Sequence, residues 1–272
     1  MRSKISNERG VMLHIAVFTL GRFSLLINGE QAEFGRKLPK RPLDLLKAVI
    51  AQGGREISVS KLTALLWPDM DGDKAMHIFN TTLHRLRRIM GNDHVLVLRD
   101  SKLSLDPQHC WVDVWVFEKL LGESRHLLRS TANCNQACLV GELTENLLAL
   151  YQDHFLISED VTSWSVSLQE RLRDKMIHHL IEIGRFWEAQ GNWEQAIECY
   201  QKGIDLDDLV EVFYQRLMNC YLETHRLSEG MSVYRRCRQT FSILLSLQPE
   251  QRTESLYLAL KNARPVNQEM VN

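Results

Sequence analysis

The stretch that decides the fold runs from Asp73 to Met90, DKAMHIFNTTLHRLRRIM. Wound at about 100° per residue, it brings Ala75, Phe79, Thr82, Leu83, Leu86, Ile89 and Met90 to one face of a helix. His77, Asn80, Thr81, His84, Arg87 and Arg88 turn the other way, with Arg85 at the edge. The outer face holds three arginines and several short polar groups, and no carboxylate follows Asp73. Arg, Asn, His and Thr are side chains that reach base edges and phosphates when a helix lies in the major groove of DNA. A solvated amphipathic helix reads much the same in isolation, so the flanks carry the decision.

Upstream, Ile57 to Pro68 (ISVSKLTALLWP) reads as a short strand, a Ser58 N-cap and a two-turn helix that Pro68 stops. Asp69-Met70-Asp71-Gly72 is a turn cluster, and Asp73 is placed to cap the next helix. Downstream, Val95 to Arg99 and Lys102 to Leu105 alternate as strands around Asp100-Ser101, with Arg99 and Lys102 near the tip. The order is helix, turn, basic helix and hairpin, which is a helix-turn-helix with a wing. Earlier still, Ile15–Leu20 and Phe23–Ile27 are strand runs joined to an Asn28-Gly29 hairpin turn. Pro42–Ala51 is an amphipathic helix that carries Leu45, Leu46, Val49 and Ile50 inward and ends at Gly53-Gly54. A four-stranded platform ahead of the helices resembles the response-regulator type of winged helix, over roughly residues 14–115.

The 272 residues suggest two domains, each able to bury its own core. A net charge of −1 hides an asymmetry. Residues 1–115 hold 17 Lys+Arg against 12 Asp+Glu, and the remainder 16 against 22. A basic first half and an acidic second half suit a nucleic-acid module joined to one that avoids nucleic acid. The first residues, MRSKISNERG, lack the apolar core of a signal peptide and read as a loose tail. No run is long and apolar enough to span a bilayer, so a cytoplasmic location is expected, and the cysteines are expected as free thiols. Cys134 and Cys138 have no second ligand pair and make a poor zinc site.

The second half repeats itself. IEIGRFWEAQGNWEQAIECYQKG superposes on a later stretch with an offset of 34 residues, pairing Leu180 with Tyr214, Trp187 with Tyr221, Trp193 with Leu227, Ala196 with Gly230 and Tyr200 with Tyr234. Thirty-four is the tetratricopeptide period, and Ala196 and Gly230 are small where two helices must cross closely. Gly191-Asn192 and His225-Arg226 are the turns within the two units. Helices at about Trp115–Leu121, Leu143–Tyr151 and Ser165–Leu180 complete the stack, and residues 122–142 read as a loop with a short helix.

A winged helix followed by WVDVWVFEKLL (Trp111–Leu121), ALYQDHFL (Ala149–Leu156), Trp164–Arg173 and these repeats resembles the bacterial transcriptional activator domain family, the architecture of antibiotic regulatory proteins. The resemblance spans nearly the whole chain. It implies an α+β winged helix-turn-helix at 14–115 and an all-α tetratricopeptide-like domain at 116–264, between tails at 1–13 and 265–272. It also implies activation of transcription from direct-repeat promoter sites on double-stranded DNA, self-association on DNA and contact with RNA polymerase. The signal would come from an upstream sensor domain, a partner protein or the helical half itself.

Carried over by position, recognition contacts fall on His77, Thr81, Thr82, His84, Arg85 and Arg87, with Arg99 from the wing. The helical wheel turns Thr82 inward instead. Asn80, Arg88 and Lys102 join this set from the residue reading. Ser60 and Lys61 lie where the first helix of the motif begins and could bind phosphate; a cap and a surface lysine is their plain role. Lys37, Lys40 and Arg41 form a basic cluster read as a solvated loop.

No HExxH, GxSxG or GxxxxGK[ST] motif occurs, so no catalytic residue, cofactor or metal site is expected. Asp69, Asp71 and Asp73 alternate like calcium ligands but lack the downstream glutamate, and capping accounts for them better. The competing class is an interaction scaffold in which the repeats bind a peptide and the winged helix merely packs.

Overall fold

The computed structural model describes residues 14–33, 39–130, 135–157 and 162–263. The chain divides into two compact units, Met1–Arg173 and Asp174–Asn272.

The first unit opens with β1 (Ile15–Phe18), β2 (Ser24–Ile27) and β3 (Glu30–Gln31), then α1 (Lys40–Ala51), β4 (Ile57–Ser58), α2 (Val59–Leu66) and α3 (Gly72–Met90). The wing strands β5 (Leu96–Arg99) and β6 (Lys102–Leu105) follow, then β7 (Cys110–Val112), α4 (Asp113–Arg129) and α5 (Gln136–Leu150). Asn28 and Gly29 have φ of 54° and 84°, which gives a two-residue turn the twist that antiparallel β2 and β3 require. The four-stranded platform exists, in the order β3-β2-β1-β7, but its last strand comes after the wing and not before the helices. β7 lies parallel to β1, Ile15 opposite Cys110, so everything between them is the crossover a parallel pair needs. Three residues are too few to show alternation, so the sequence pattern alone does not mark β7 as a strand.

Further along, the structure revises the sequence boundaries. α4 runs on to Arg129 and α5 starts at Gln136, so most of 122–142 is helical. The weak periodicity has a cause: α5 buries only Gln136, Val140, Thr144 and Leu147, and two of those four are polar. Gln136 still earns its burial, because its Nε2 donates to the Leu127 carbonyl at 2.7 Å and closes the α4–α5 connection.

A polar knot ties this helical pair to the platform. The Asp113 carboxylate, 1% exposed, accepts from the backbone N–H groups of Thr19, Leu20 and Val114 and from the Thr19 hydroxyl. Burial pushes its carboxyl above the usual range, and those four donors oppose the shift. The same turn binds the segment after α5, where Leu156 N–H donates to Thr19 O at 2.9 Å and Gly21 N–H to His154 O at 3.1 Å.

One long helix, α6 (Ser163–Ala189), begins in the first unit and ends in the second. The second unit continues with α7 (Trp193–Leu206), α8 (Glu211–Glu223), α9 (Leu227–Leu244) and α10 (Gln251–Asn262). α7 and α9 start one repeat apart, and the turns before them match: Gly191 has φ 70° and His225 φ 58°. The small-residue rule holds at three positions. Ala196 is fully buried. A Cβ on Gly184 would lie 2.3 Å from the Tyr200 ring, and one on Gly230 would lie 2.7 Å from Leu260. α10 closes the array, stacking Tyr257 on Tyr234 at 4.0 Å and burying Leu260 with Met218. The fold is thus an α+β winged helix-turn-helix followed by an all-α tetratricopeptide-like domain.

Candidate nucleic-acid interface

α2 and α3 form the helix-turn-helix. Ser58 caps α2 as its sequence position suggests, its Oγ accepting the Lys61 N–H at 3.3 Å. Pro68 and the exposed run from Asp69 to Gly72 make the turn. The cap of α3 differs from expectation. Asp71 occupies the N-cap position and holds Lys74 Nζ at 3.2 Å, while Asp73 lies inside the first turn, where its charge complements the helix dipole. Gly91, at φ 65°, ends the helix in the left-handed conformation, its N–H on Arg87 O at 3.0 Å.

The apolar stripe packs inward on α1 and α2: Ala75, Phe79, Leu83, Leu86 and Met90 are buried, with Thr82 beside them. Thr82 therefore points into the core, as the helical wheel has it. Ile89, expected inside, is half-buried near the end of the helix. On the opposite face His77, Asn80, Thr81, His84, Arg85 and Arg88 are all exposed. By helical spacing they form two rows, His77/Thr81/Arg85 and Asn80/His84/Arg88. Met76, which the polar pattern of this face does not single out, extends the second row by one turn and is 42% exposed. Thr81 already donates its hydroxyl to His77 O at 3.0 Å, which leaves its lone pairs and methyl outward. Arg85, Arg88 and Arg99 have no ion pair among the described residues.

Arg87 departs from the outward set. It is half-buried, and its Nε and Nη2 donate to the carbonyl of Leu96 at 3.2 and 2.7 Å. That bond ties the end of α3 to the first strand of the wing. The wheel placed Arg87 outward because it knows nothing of the strand that follows.

The wing is three-stranded, in the order β4-β6-β5. Leu96, Leu103 and Leu105 face the core, and Arg99 pairs with Lys102 across the tip. Asp100 and Ser101 both have positive φ, 48° and 56°, the geometry of a tight hairpin turn. Ser101 O accepts the Val59 N–H at 2.9 Å, so the wing tip is fastened to the first residue of α2. With the Val59 and Lys61 amides so engaged, little of that helix end is left for an anion. Ser60 and Lys61 are exposed there, Ser60 Oγ donating to Ser58 Oγ at 3.3 Å. Lys102 approaches Glu56 at 3.7 Å, with both side chains largely in solvent, where such a pair holds weakly.

Elsewhere the thiols of Cys110, Cys199, Cys220 and Cys237 are buried, and burial pushes each up to about 12, so they are inert packing residues. Cys138 is exposed, and Cys134, like Lys37, lies outside the described residues. Among the described residues no cluster of His, Cys, Asp or Glu suits a metal ion, and no helix is long and apolar enough to cross a membrane.

The model of the bacterial transcriptional activator domain matches residues 112–261, more than half of the chain. The chain belongs to that family, whose members are transcriptional regulators and not an enzyme class. Among solved structures it is similar to EmbR of Mycobacterium tuberculosis, determined in complex with a low-affinity phosphopeptide. The similarity has a TM-score of 0.69 at 17% identity and covers 93% of this chain and 66% of that one, so this chain spans just under two thirds of EmbR. A search of curated proteins gives no significant match.

Proposed function

We propose that this protein is a sequence-specific regulator that binds double-stranded DNA, with α3 in the major groove and the β5–β6 hairpin as its wing. One observation carries the reading: the exposed face of α3 has two rows of groups suited to bases and phosphates, unopposed by any carboxylate after Asp73. His77, Asn80, Thr81, His84 and Arg85 read bases, and Met76 can meet a thymine methyl. Arg88, Arg99 and Lys102 hold phosphate, with Ser60 and Lys61 at the margin. Arg87 acts as a positioning residue that sets the wing against the helix.

A module of this size buries only about 600–1,000 Å² on DNA, so tight binding needs two copies on direct repeats about one helical turn apart. The helical domain then serves self-association, signal input or contact with RNA polymerase, in the cytoplasm. The phosphopeptide in the EmbR structure supports input from an upstream protein. The chain could equally be the output module of a longer signalling protein.

The test is selection of an operator from a random duplex pool, followed by anisotropy titrations at two salt concentrations. If Arg85→Ala/Arg88→Ala/Arg99→Ala binds the selected operator as tightly as the parent, the groove assignment fails. The scaffold reading then takes its place.

A further inference from the structure

α9 is longer than its counterpart in the preceding repeat, 18 residues against 14, although the two helices start one period apart. The extra turn and the segment after it leave Ile243, Leu244, Leu245 and Leu247 exposed, by 68, 58, 41 and 57%. Repeat helices bury their apolar residues against the next unit, and here the array has already been closed by α10. Four large apolar side chains within five residues are not the scattered exposure of an ordinary surface.

The surroundings indicate what would cover them. Along the solvent face of the same helix lie Arg235 and Arg238, both exposed and neither paired with a carboxylate among the described residues. Arg236 is turned to Asp205 at 3.6 Å. Of the acids that flank this stretch in sequence, Glu229 pairs with Arg226 at 2.6 Å and Glu250 accepts from Gln215 at 3.2 Å. Within a domain of acidic balance, this end of α9 is locally basic and apolar together.

We propose that the C-terminal turn of α9 is a docking surface for an acidic amphipathic helix of a partner protein. Its apolar stripe would cover Ile243, Leu244, Leu245 and Leu247, and its carboxylates would pair with Arg235 and Arg238. The leucines set this surface apart from a second DNA contact, which would need cations and polar groups without an apolar ridge. The proposal deepens the regulator reading, since it supplies a route from DNA-bound protein to a partner, and it is measured separately from DNA binding.

The test uses the full chain against a displayed library of helical peptides of about 18 residues. Leucine is fixed in an i, i+3, i+4, i+7 stripe, and the flanking positions vary among Glu, Gln and Lys. The parent should select Glu-rich peptides. Arg235→Glu/Arg238→Glu and Leu244→Ser/Leu247→Ser should each bind a selected peptide at least about tenfold more weakly, and the double Glu variant should itself select Lys-rich peptides. All four side chains are exposed, so circular dichroism melts should match the parent; if the serine variant unfolds, the charge variant decides. Selection of Lys-rich or uncharged peptides by the parent, or binding indifferent to both variants, overturns the proposal. So does a parent dimer in sedimentation that Leu244→Ser/Leu247→Ser makes monomeric, which gives the face to a second copy, and so does displacement of the peptide by duplex DNA. Operator binding by the same samples should be unchanged, and its absence in the parent would sink the DNA reading alone.

Discussion

The crossing of α6 with α7 and the outer face of α3 are both helix surfaces, and they are specified in opposite ways. At the crossing, Gly184 has no room for a Cβ, and Tyr200, above it, donates its hydroxyl to Glu188 at 2.7 Å. Glu188 in turn holds Arg216 at 3.0 Å. Tyr200, Glu188 and Arg216 answer one another within the fold, and Gly184 is there for its lack of volume. On α3, Asn80, His84, Arg85 and Arg88 have no hydrogen-bond or ion-pair partner among the described residues, and they are chosen by what they can offer to something absent. A surface satisfied within the fold reports on stability; one left unsatisfied reports on a partner.

That contrast can be broken by mutation. Gly184→Val should have the largest effect, because the added atoms meet the ring of Tyr200 with no space to move into. A loss of about 3 kcal/mol is expected, read as a fall in melting temperature, whereas molecules that remain folded should keep their DNA affinity. Unchanged melting would mean that the crossing is looser than the structure has it.

Next comes the knot at Asp113. Asp113→Asn turns an amide NH2 toward donors that need an acceptor, at a cost on the order of 1–3 kcal/mol in thermal or urea unfolding. The same reasoning bears on the domain boundary at residue 115, which we retain as a proposal. A fragment ending there loses the bonds from Leu156 and Gly21, so residues 14–157 should unfold at higher temperature than residues 14–115. Equal stability of the two fragments would show that those bonds are dispensable.

Three arginines, Arg85, Arg87 and Arg88, sharpen the comparison within about one helix turn. Arg88→Ala should leave stability nearly untouched, weaken binding to all duplexes, and lower the salt slope by about 0.9. Arg85→Ala should instead cost about 1–3 kcal/mol at particular base positions and relax specificity there. Arg87→Ala should mainly lower stability, by about 1 kcal/mol, as the Leu96 carbonyl loses its donors, with little change in salt slope. If Arg87→Ala and Arg88→Ala prove indistinguishable in salt titrations, the division between positioning and phosphate contact is wrong.

The smallest effect belongs to the repeat turns. His225 takes the left-handed conformation that Gly191 takes one period earlier. His225→Gly should relieve that strain and raise stability by about 0.5–1 kcal/mol, partly offset by a freer unfolded chain. A lower melting temperature would mean that the histidine ring contributes more than its backbone costs.

Several features were legible because they depend on residues close in sequence. The stripe Ala75, Phe79, Leu83, Leu86, the Ser58 cap, the Pro68 stop, the Asn28-Gly29 turn and the 34-residue offset are local rules of helix, turn and repeat, and each appears where it was expected. The order of those pieces was enough to point to the family. The exposed groups of α3 were legible for the same reason, since a helical wheel needs only 3.6 residues per turn.

What the tertiary structure decided involves partners far apart in the chain. β7 is a strand only because β1 offers it an edge, 95 residues away at Ile15↔Cys110. Arg87 is withdrawn from the outer face because the carbonyl of Leu96 happens to face it across the helix–wing corner. α5 keeps its half-polar inner stripe because it packs along α4, where Gln136 finds the Leu127 carbonyl. Asp113 can be buried only because the Thr19–Leu20 turn brings its donors together. Local patterns set which elements form, since backbone geometry acts over a few residues. Which polar groups are spent within the fold, and which remain for a partner, depends on long-range pairing that no window of sequence contains.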